Sequence, residues 1–169
     1  LPQGFLFTAP QGEGAKSFPV FEKLCSALLE NRFSRNDLVL ALGGGVIGDL
    51  AGYAAASYMR GIDFINLPTT TLSQIDSSIG GKTAINLNGV KNIIGAFHQP
   101  RLVLIDGDTL KTLPARHFNN GLVEAVKAGL IGDAELFSFF EQEDIPSHMD
   151  EIILRSLQVK KRVVEEDET

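Results

Sequence analysis

The stretch that decides the fold reads LVLALGGGVIGD and covers residues 38–49. Residues 38–42 are a short apolar run, which is typical of a strand buried on both faces of a parallel sheet. Three glycines follow at once, and residues 46–59 continue as a helix of small residues that Gly61 can end. Glycines let the backbone approach a ligand closely, and a helix N-terminus can hold a phosphate anion. Because their order is not the usual G-x-G-x-x-G, the turn alone fits a nucleotide site or a tight packing turn equally well.

The alternation of strand and helix continues on both sides of this stretch. Residues 18–31 carry apolar side chains at helical spacing, and residues 64–67 predict the next strand. Threonines 69–71 can cap a helix that two glycines at 80 and 81 end. Residues 82–100 show no steady period and end at a proline, so we expect a long loop with short ordered pieces. Residues 102–105 predict another buried strand.

After this strand, the pattern of the sequence changes from alternating strands and helices to helices alone. Three helical segments are predicted, over residues 114–131, 133–142 and 147–166. We therefore predict a Rossmann-like α/β nucleotide-binding domain over residues 1–108, followed by the beginning of an all-helical domain over residues 109–169. The boundary is expected within residues 107–112, and residue 1 is Leu, which suggests an interior or processed piece in which the α/β domain lacks its start.

Composition excludes several classes of protein. The chain has 169 residues, of which 44% are hydrophobic and 21% are charged, as in an ordinary globular protein. Fifteen Lys and Arg against 21 Asp and Glu give a net charge of −6, which argues against nucleic acid as the main partner. The charge-free stretches are shorter than the roughly 20 apolar residues that span a bilayer. The single Cys25 allows no intrachain disulfide and suits a reducing compartment, so we expect a cytoplasmic protein.

Several polar side chains near the glycine turns are candidates for chemistry. Asp49 either complements the dipole of the helix or hydrogen-bonds a ribose or an amide of a ligand. Lys82, Lys91, Asn92 and Lys127 suggest a local anionic pocket, although a single lysine is more often solvated.

Glu124 and Lys127 are three residues apart and share a helix face, while Val123, Val126 and Leu130 are expected to face the core. A surface ion pair is the simple interpretation. The alternative makes Glu124 a metal ligand, but the three histidines show no H-x-x-x-H spacing that would complete a site.

Four strings read together resemble the 3-dehydroquinate synthase family. They are GGGVIGDLAGYAAASYMRG over residues 43–61, LPTTTLSQIDSSIGGKTAIN over residues 67–86, KNIIGAFHQP over residues 91–100, and LPARHFNNGLVEAVKAGLI over residues 113–131. The upstream string GEGAK, residues 12–16, fits the same family. The resemblance covers most of the chain.

The resemblance implies a site that holds NAD, a sugar phosphate and a metal. The implied NAD contacts are Glu13, Lys16, Gly44, Gly45, Val46, Gly48, Asp49, Thr69, Thr70, Lys82, Lys91, Thr109, Leu110, Lys111 and Thr112. The implied substrate residues are Asp76, Lys82, Asn92 and Lys127, with Arg60 reaching the substrate's phosphate across a dimer interface. Glu124 would bind zinc or cobalt in the helical domain, and the two histidine ligands of the family are expected beyond residue 169.

The implied activity converts 3-deoxy-D-arabino-heptulosonate 7-phosphate to 3-dehydroquinate and phosphate in the shikimate pathway. In the family, NAD oxidises a secondary alcohol, phosphate leaves, the hydride returns, and an internal aldol step closes the ring. Three rivals stay open: another sugar-phosphate cyclase, an NAD-linked alcohol or glycerol dehydrogenase, and a folded fragment without catalysis. The implied protein is a soluble homodimer.

Overall fold

The computed structural model describes residues 4–141 and 144–166 of the chain. The helices and strands come in this order: α1 (Phe18–Glu30), β1 (Leu38–Gly43), α2 (Gly45–Ser57), β2 (Asp63–Pro68), β3 (Lys82–Leu87), β4 (Val90–Phe97), β5 (Leu102–Val103), α3 (Ala115–Gly132), α4 (Ala134–Ser138) and α5 (Met149–Glu166). The predicted α/β class with helices at the end is confirmed. Every predicted strand and helix before residue 82 has a counterpart within a few residues of its expected bounds.

The central sheet is parallel and runs in the order β1-β2-β5. One face is covered, since Ala41 and Phe64 are 1% and 2% exposed and pack with α1 and α2. The other face is open: Leu38, Leu40 and Leu42 are 44%, 63% and 66% exposed. The expectation that β1 is buried on both faces is therefore wrong for this chain. The apolar run alternates in burial because, among the described residues, α1 and α2 cover one face of β1.

The loop predicted over residues 82–100 is instead an antiparallel hairpin of β3 and β4. Asn88 and Gly89 connect the strands with φ values of 50° and 81°. Two positive φ values in a two-residue connection are typical of a type I′ turn, for which Asn-Gly is the preferred pair. The sequence contains this Asn-Gly turn signal, but polar residues on both strands interrupt the alternation of polar and apolar side chains that predicts a strand.

The segment after β2 forms a π-helical turn over Ser73–Ser77. The helical segment begins two residues earlier, at residue 71, and Thr70 caps it as predicted, because Thr70 Oγ1 accepts a hydrogen bond from the Ser73 N–H at 3.3 Å. Gln74 is fully buried and holds the wide turn in place. Its Nε2 donates to the Pro68 carbonyl at 3.1 Å, the Asp106 carbonyl at 2.9 Å and Thr109 Oγ1 at 3.0 Å.

Packing divides the chain into two units. The first unit contains the described residues up to Leu42, together with Val46–Asn66 and Gly81–Leu102. The second unit contains Gly43–Gly45, Leu67–Gly80 and the described residues from Val103 onward. The domain boundary proposed between residues 108 and 109 stays a prediction.

The core of the second unit is formed by α3, α4, α5 and the π-helical turn. The buried face of α3 carries small residues, because Gly121 lies against Thr71 and an added Cβ would come within 2.5 Å of Thr71 Cβ. Leu122 and Ala125 share this face. The prediction that Val123 and Leu130 face the core is wrong, since they are 64% and 68% exposed, and Val126 is half-buried. The true helical stripe is offset by one residue because glycine and alanine take the closest contacts.

Among the residues that the structure describes, we find no helix with the length and apolarity needed to cross a membrane.

Asp133 connects α3, α4 and α5. Its Oδ1 accepts hydrogen bonds from the N–H groups of Glu135 and Leu136 at 3.1 and 3.0 Å, so it caps α4. Its Oδ2 lies 3.1 Å from Nη1 of Arg155. The Leu136 N–H is the main reason that the pKa of Asp133 is below its ordinary value, with a further contribution from Arg155.

We predict that Asp133→Ala lowers the free energy of unfolding by about 1–2 kcal/mol, because two helix N–H groups lose their acceptor. Since folding lowers the pKa of Asp133, its contribution is present above the unfolded pKa and disappears as pH falls through the folded pKa. The deficit of the variant should therefore shrink in acid. Urea denaturation at several pH values measures this.

Asp133→Asn is the matched control for the cap, because Asn caps helices as well as Asp does. Asp108→Ala is the control for a surface charge, since Asp108 is 75% exposed beside Lys111. We expect Asp108→Ala to cost no more than about 0.5 kcal/mol. An equal loss in Asp108→Ala and Asp133→Ala would contradict the capping role.

Candidate functional site

The first unit contains a buried ammonium group surrounded by polar side chains. Lys16 is only 4% exposed, and its Nζ donates to Oδ2 of Asp49 at 2.5 Å. The same Nζ donates to Oδ1 of Asn92 and lies 3.8 Å from Oε1 of Glu13. We call Glu13, Lys16, Asp49 and Asn92 the lysine cluster. It brings together four of the predicted site residues from three separate parts of the chain.

Asp49 does not cap its helix. The first turn of α2 contains no acidic residue, and the carboxylate faces Lys16 instead. Burial raises the pKa of Asp49, and the hydrogen bond and charge of Lys16 oppose that rise. The interpretation of Asp49 as a partner of the helix dipole is therefore wrong. A partly desolvated ion pair of this kind is found at functional sites and in structural networks.

The remaining candidates of the first unit lie away from this ammonium. Lys82 and Lys91 are exposed on the hairpin. Arg60 is exposed and has a φ of 69°, directly after Met59 with a φ of 51°. Two successive left-handed residues without glycine are uncommon and suggest a functional constraint on this turn. Gly48 lies where an added Cβ would come within 3.1 Å of Asn66 Nδ2, so its packing role is visible without a ligand.

The second unit contains the glycine turn and the π-helical turn. A Cβ on Gly44 would come within 2.9 Å of Thr70 Cγ2, and one on Gly45 within 2.9 Å of Ser77 Oγ. The Thr69 N–H donates to the Gly43 carbonyl at 2.9 Å and fixes the turn against the segment after β2. Ser77 Oγ is buried and finds no hydrogen-bond partner among the described residues.

Ser77 is not alone in this respect. Buried polar atoms without a partner in the described part of the chain cluster along residues 71–78: Thr71 Oγ1, Gln74 Oε1, Ser77 Oγ and Ser78 Oγ. Buried polar groups are nearly always hydrogen-bonded in folded proteins. Such a concentration beside a glycine turn is typical of a surface that a polar ligand completes.

Asp76 pairs with a lysine that sequence reasoning missed. Nζ of Lys160, on α5, lies 2.7 Å from Oδ1 of Asp76 and also donates to the Asp76 carbonyl. The two side chains are 24% and 37% exposed, so the pair is partly open to solvent. The residues are 84 positions apart. No local pattern could have connected them, and only the packing of α5 on the π-helical turn does so.

Glu124 and Lys127 form the predicted ion pair on α3. The hydrogen bond to Glu124 raises the pKa of Lys127, and the charges of Glu124 and Asp76 add to the rise. Lys127 is 61% exposed while Glu124 is 29% exposed, so the carboxylate is the more buried partner. Within residues 4–141 and 144–166, no three His, Cys, Asp or Glu side chains come together as a metal site.

The predicted cofactor contacts at residues 109–112 form a 3-10 turn that packs in the second unit. Thr109 Oγ1 donates to the Asp106 carbonyl at 2.7 Å and accepts from Gln74 Nε2. Leu110 is 7% exposed and belongs to the core. Lys111 pairs with Asp108 at 2.7 Å, and Thr112 is exposed.

Comparison with known proteins gives a consistent result. Residues 6–120 match the model described as 3-dehydroquinate synthase N-terminal, and residues 121–169 match 3-dehydroquinate synthase C-terminal. The 3-dehydroquinate synthase of Sulfurimonas denitrificans is 48% identical over 166 residues, which cover 97% of this chain and 48% of the relative. That of Pseudoalteromonas translucida is 51% identical over 168 residues, covering 96% and 47%. The chain spans about half the length of these relatives.

Solved structures of related enzymes share the fold. The 2-epi-5-epi-valiolone synthase of Streptomyces hygroscopicus, solved with NAD+ and Zn2+ bound, has a TM-score of 0.85 and 36% identity over 93% of this chain and 46% of its own. A 2-deoxy-scyllo-inosose synthase complexed with carbaglucose-6-phosphate, NAD+ and Co2+ has a TM-score of 0.83 and 31% identity, covering 91% and 44%. Sulfoacetaldehyde reductase from Bifidobacterium kashiwanohense, at 12% identity and a TM-score of 0.62, shows the fold alone.

We predict that Lys16→Met lowers the free energy of unfolding by about 3 kcal/mol near neutral pH, because Asp49 then lacks its cation. Folding raises the pKa of Asp49, so the charged carboxylate opposes folding once pH exceeds its unfolded pKa. The variant should therefore regain stability as pH falls through the raised pKa. Denaturant titrations at a series of pH values measure the recovery.

The double variant Lys16→Met/Asp49→Asn is the matched control, since it has no charge in the pair and should lose this pH dependence. A Lys16→Met protein as stable as the wild type throughout the titration would show that the pair contributes nothing to the fold.

Proposed function

The chain belongs to the 3-dehydroquinate synthase family, and from that premise we propose that the protein containing it is a 3-dehydroquinate synthase. It converts 3-deoxy-D-arabino-heptulosonate 7-phosphate to 3-dehydroquinate and phosphate, and is a phosphate-releasing carbon–oxygen lyase. The observation that supports this most is the match of both family models in sequence order over residues 6–169. We also propose that it acts as a homodimer in the cytoplasm.

The second unit offers groups that fit a dinucleotide. Gly44 and Gly45, where a Cβ would collide with Thr70 and Ser77, lie at the N-terminus of the 13-residue helix α2. Backbone N–H groups at such a position bind phosphate oxygens. The unpartnered Ser77 Oγ beside Gly45 is a further donor. We propose that the glycine turn, Thr69, Thr70 and residues 109–112 contact NAD, which when bound accepts and later returns a hydride.

The first unit offers a charged pair for the same cofactor. Asp49 is held by Lys16 at 2.5 Å, so its carboxylate oxygens are oriented before any ligand arrives. A fixed carboxylate can accept hydrogen bonds from hydroxyl or amide groups without a large cost in side-chain entropy. We propose that the lysine cluster, with Val46, Gly48, Lys82 and Lys91, contributes NAD contacts.

Cationic side chains of the second unit suit a substrate with a phosphate and a carboxylate. Lys160 and Lys127 both lie near Asp76 in the second unit, the first at 2.7 Å and the second close enough for the charge of Asp76 to raise its pKa. Ammonium groups of this kind bind phosphate and carboxylate oxygens through charge-assisted hydrogen bonds. We propose that Asp76, Lys82, Asn92, Lys127 and Lys160 hold the substrate and that Arg60 binds its phosphate.

The described residues do not by themselves fit a catalytic metal ion. Glu124 supplies one carboxylate, whose Oε2 is in an ion pair with Lys127. Catalytic zinc takes three protein ligands, and no such set is present among these residues. We propose that Glu124 is one ligand of a zinc or cobalt ion and that the others come from outside the described residues.

A sister cyclase acting on another sugar phosphate is the second candidate. The structural similarity to the valiolone and deoxy-inosose synthases, at 36% and 31% identity, favours the common fold and cofactor chemistry. The identity of about half to the 3-dehydroquinate synthases favours the first candidate.

The proposal predicts that the full-length protein releases phosphate from 3-deoxy-D-arabino-heptulosonate 7-phosphate when NAD and zinc are supplied. We expect the 169-residue chain alone to release none, because its described residues offer one metal ligand. Phosphate release by both proteins, measured in parallel, decides between these outcomes. A full-length protein active only on other sugar phosphates would favour a sister cyclase, and sustained NADH production from a simple polyol would favour a dehydrogenase.

A second prediction concerns the metal. Glu124→Gln in the full-length protein should reduce bound zinc strongly, because the ligand charge is lost, while NAD affinity changes little. Elemental analysis of the dialysed protein and NAD titration measure the two effects. Glu151→Gln is the matched control, since Glu151 is a half-exposed helix carboxylate paired with Arg155. Equal zinc content in Glu124→Gln and wild type would leave Glu124 as a surface ion-pair residue.

A further inference from the structure

The pairing of β3 with β4 is interrupted at one residue. Ile85 pairs with Ile94, and the next pair is Leu87 with Val90. Asn86 therefore stands opposite three residues of β4, which are residues 91–93, and the ladder bulges at this point. Asn92, in the middle of the bulge, has a φ of 56°. A bulge of this kind turns a side chain in a direction that a regular strand would not allow.

Asn86 itself makes three hydrogen bonds in different directions. Its side-chain Nδ2 donates to Oε1 of Glu13 at 2.9 Å. Its Oδ1 accepts from the N–H of Asn92 at 2.9 Å. Its main-chain N–H donates to the carbonyl of Lys16 at 2.8 Å. One residue thus connects the segment of Glu13 and Lys16 with the bulge of β4.

These two segments supply most of the lysine cluster. The bulge carries Asn92, whose Oδ1 accepts from Lys16 Nζ, and the same Nζ holds Asp49. If Asn86 lost its side chain, the Asn92 N–H would lose its acceptor and Glu13 would lose its donor. No other described side chain both donates to Glu13 and accepts from the Asn92 N–H.

We propose that Asn86 is a positioning residue that fixes the lysine cluster in the arrangement that binds the dinucleotide. The proposal rests on the proposed function for the identity of the ligand. Asn86 does not itself need to contact the ligand, because it acts through Glu13 and Asn92. Its effect should therefore appear in the affinity for NAD more than in the stability of the fold.

The chemistry of the amide explains why this position is Asn. An amide has both a donor and an acceptor, and Asn86 uses the donor on Glu13 and the acceptor on Asn92. Aspartate keeps the acceptor but cannot donate, and it places a second negative charge beside Glu13. Asn86→Asp therefore cuts one of the two connections with almost no change in volume.

The matched control is Asn88→Asp, two residues further along the hairpin. Asn88 is exposed in the turn at a φ of 50°, which Asp tolerates, and its side chain makes no hydrogen bond in the described part of the structure. Both variants add the same charge to the same hairpin. Only Asn86→Asp changes the connection to Glu13.

The experiment uses the full-length protein and two readouts. Calorimetric titration with NAD gives the dissociation constant, and hydrogen–deuterium exchange followed by mass spectrometry reports on peptides covering residues 10–18 and 88–96 without any ligand. We expect Asn86→Asp to weaken NAD binding at least about tenfold and to speed exchange in residues 10–18, whereas residues 88–96 keep the acceptor of the Asn92 N–H and should exchange at the wild-type rate. Asn88→Asp should leave the NAD affinity and the exchange of residues 10–18 unchanged.

A rescue variant separates positioning from a general loss of structure. In Asn86→Asp/Glu13→Gln the donor and the acceptor change places, so the bond between the two side chains can form again. We expect exchange in residues 10–18 to return toward the wild-type rate. Failure of the rescue, or unchanged exchange in Asn86→Asp itself, would overturn the connection.

The proposed function and the positioning role of Asn86 would be contradicted by different results. If the wild-type protein shows no NAD binding, the proposed function is wrong, and the exchange readout alone then decides whether Asn86 connects the two segments. If exchange rises in residues 10–18 while NAD affinity equals that of the wild type, Asn86 is a structural residue and the positioning role is wrong. Equal NAD affinities in Asn86→Asp and Asn88→Asp lead to the same conclusion.

Discussion

The buried ammonium of Lys16 is the interaction on which the candidate site of the first unit depends. A lysine with 4% exposure has lost nearly all contact with water, so it must be compensated by anionic and polar partners. Asp49 and Asn92 provide that compensation, and they come from α2 and from the bulge of β4. The ion pair therefore fixes three distant segments at one point. The hydrogen bonds that compensate the desolvated Lys16 ammonium also orient Asp49 and Asn92, the polar groups that a ligand would meet.

The second unit shows the opposite situation, since it carries polar atoms that are buried and lack partners. The segment of residues 71–78, which includes the π-helical turn, contains the buried polar atoms of Thr71, Gln74, Ser77 and Ser78. Gln74 Nε2 uses its hydrogen bonds to hold the turn, while its Oε1 has no partner in the described structure. A regular α-helical turn would rotate these side chains differently. The irregular turn after β2 thus leaves buried polar atoms that a polar ligand could satisfy.

The sequence predicted the positions of the helices and strands better than the contacts around them. The apolar run of residues 38–42, the glycines after it and the helices α3 and α5 were correctly assigned, because each has a local physical cause. The helix predicted over residues 133–142 is the shorter α4 followed by a 3-10 turn over Phe139–Glu141, and residue 142 lies outside the described residues. The hairpin was missed even though Asn88-Gly89 is a strong turn signal, since Asn86, Lys91 and Asn92 break the alternation on which strand prediction relies. Asn92 belongs to the lysine cluster and Asn86 supports it, so the regular alternation is lost where the structure serves the candidate site.

Contacts between distant residues could not be predicted from patterns at all. The pairing of Asp76 with Lys160 depends on how α5 packs against the π-helical turn, and no spacing rule spans 84 residues. The burial of Lys16 is another example, because nothing in the string GEGAK distinguishes a buried lysine from a solvated one. The offset of the core stripe of α3 has a similar origin, since Gly121 and Ala125 face the core where larger residues would be the usual expectation.

The open face of the central sheet has a consequence for the handling of the polypeptide. Leu38, Leu40 and Leu42 form an apolar stripe on β1, an edge strand of the described sheet. A strand edge next to an uncovered apolar surface is a template for association between copies during expression and concentration. The 169-residue chain produced on its own should therefore precipitate more readily than its net charge of −6 suggests, and polar substitutions on this stripe should improve its yield as a soluble protein.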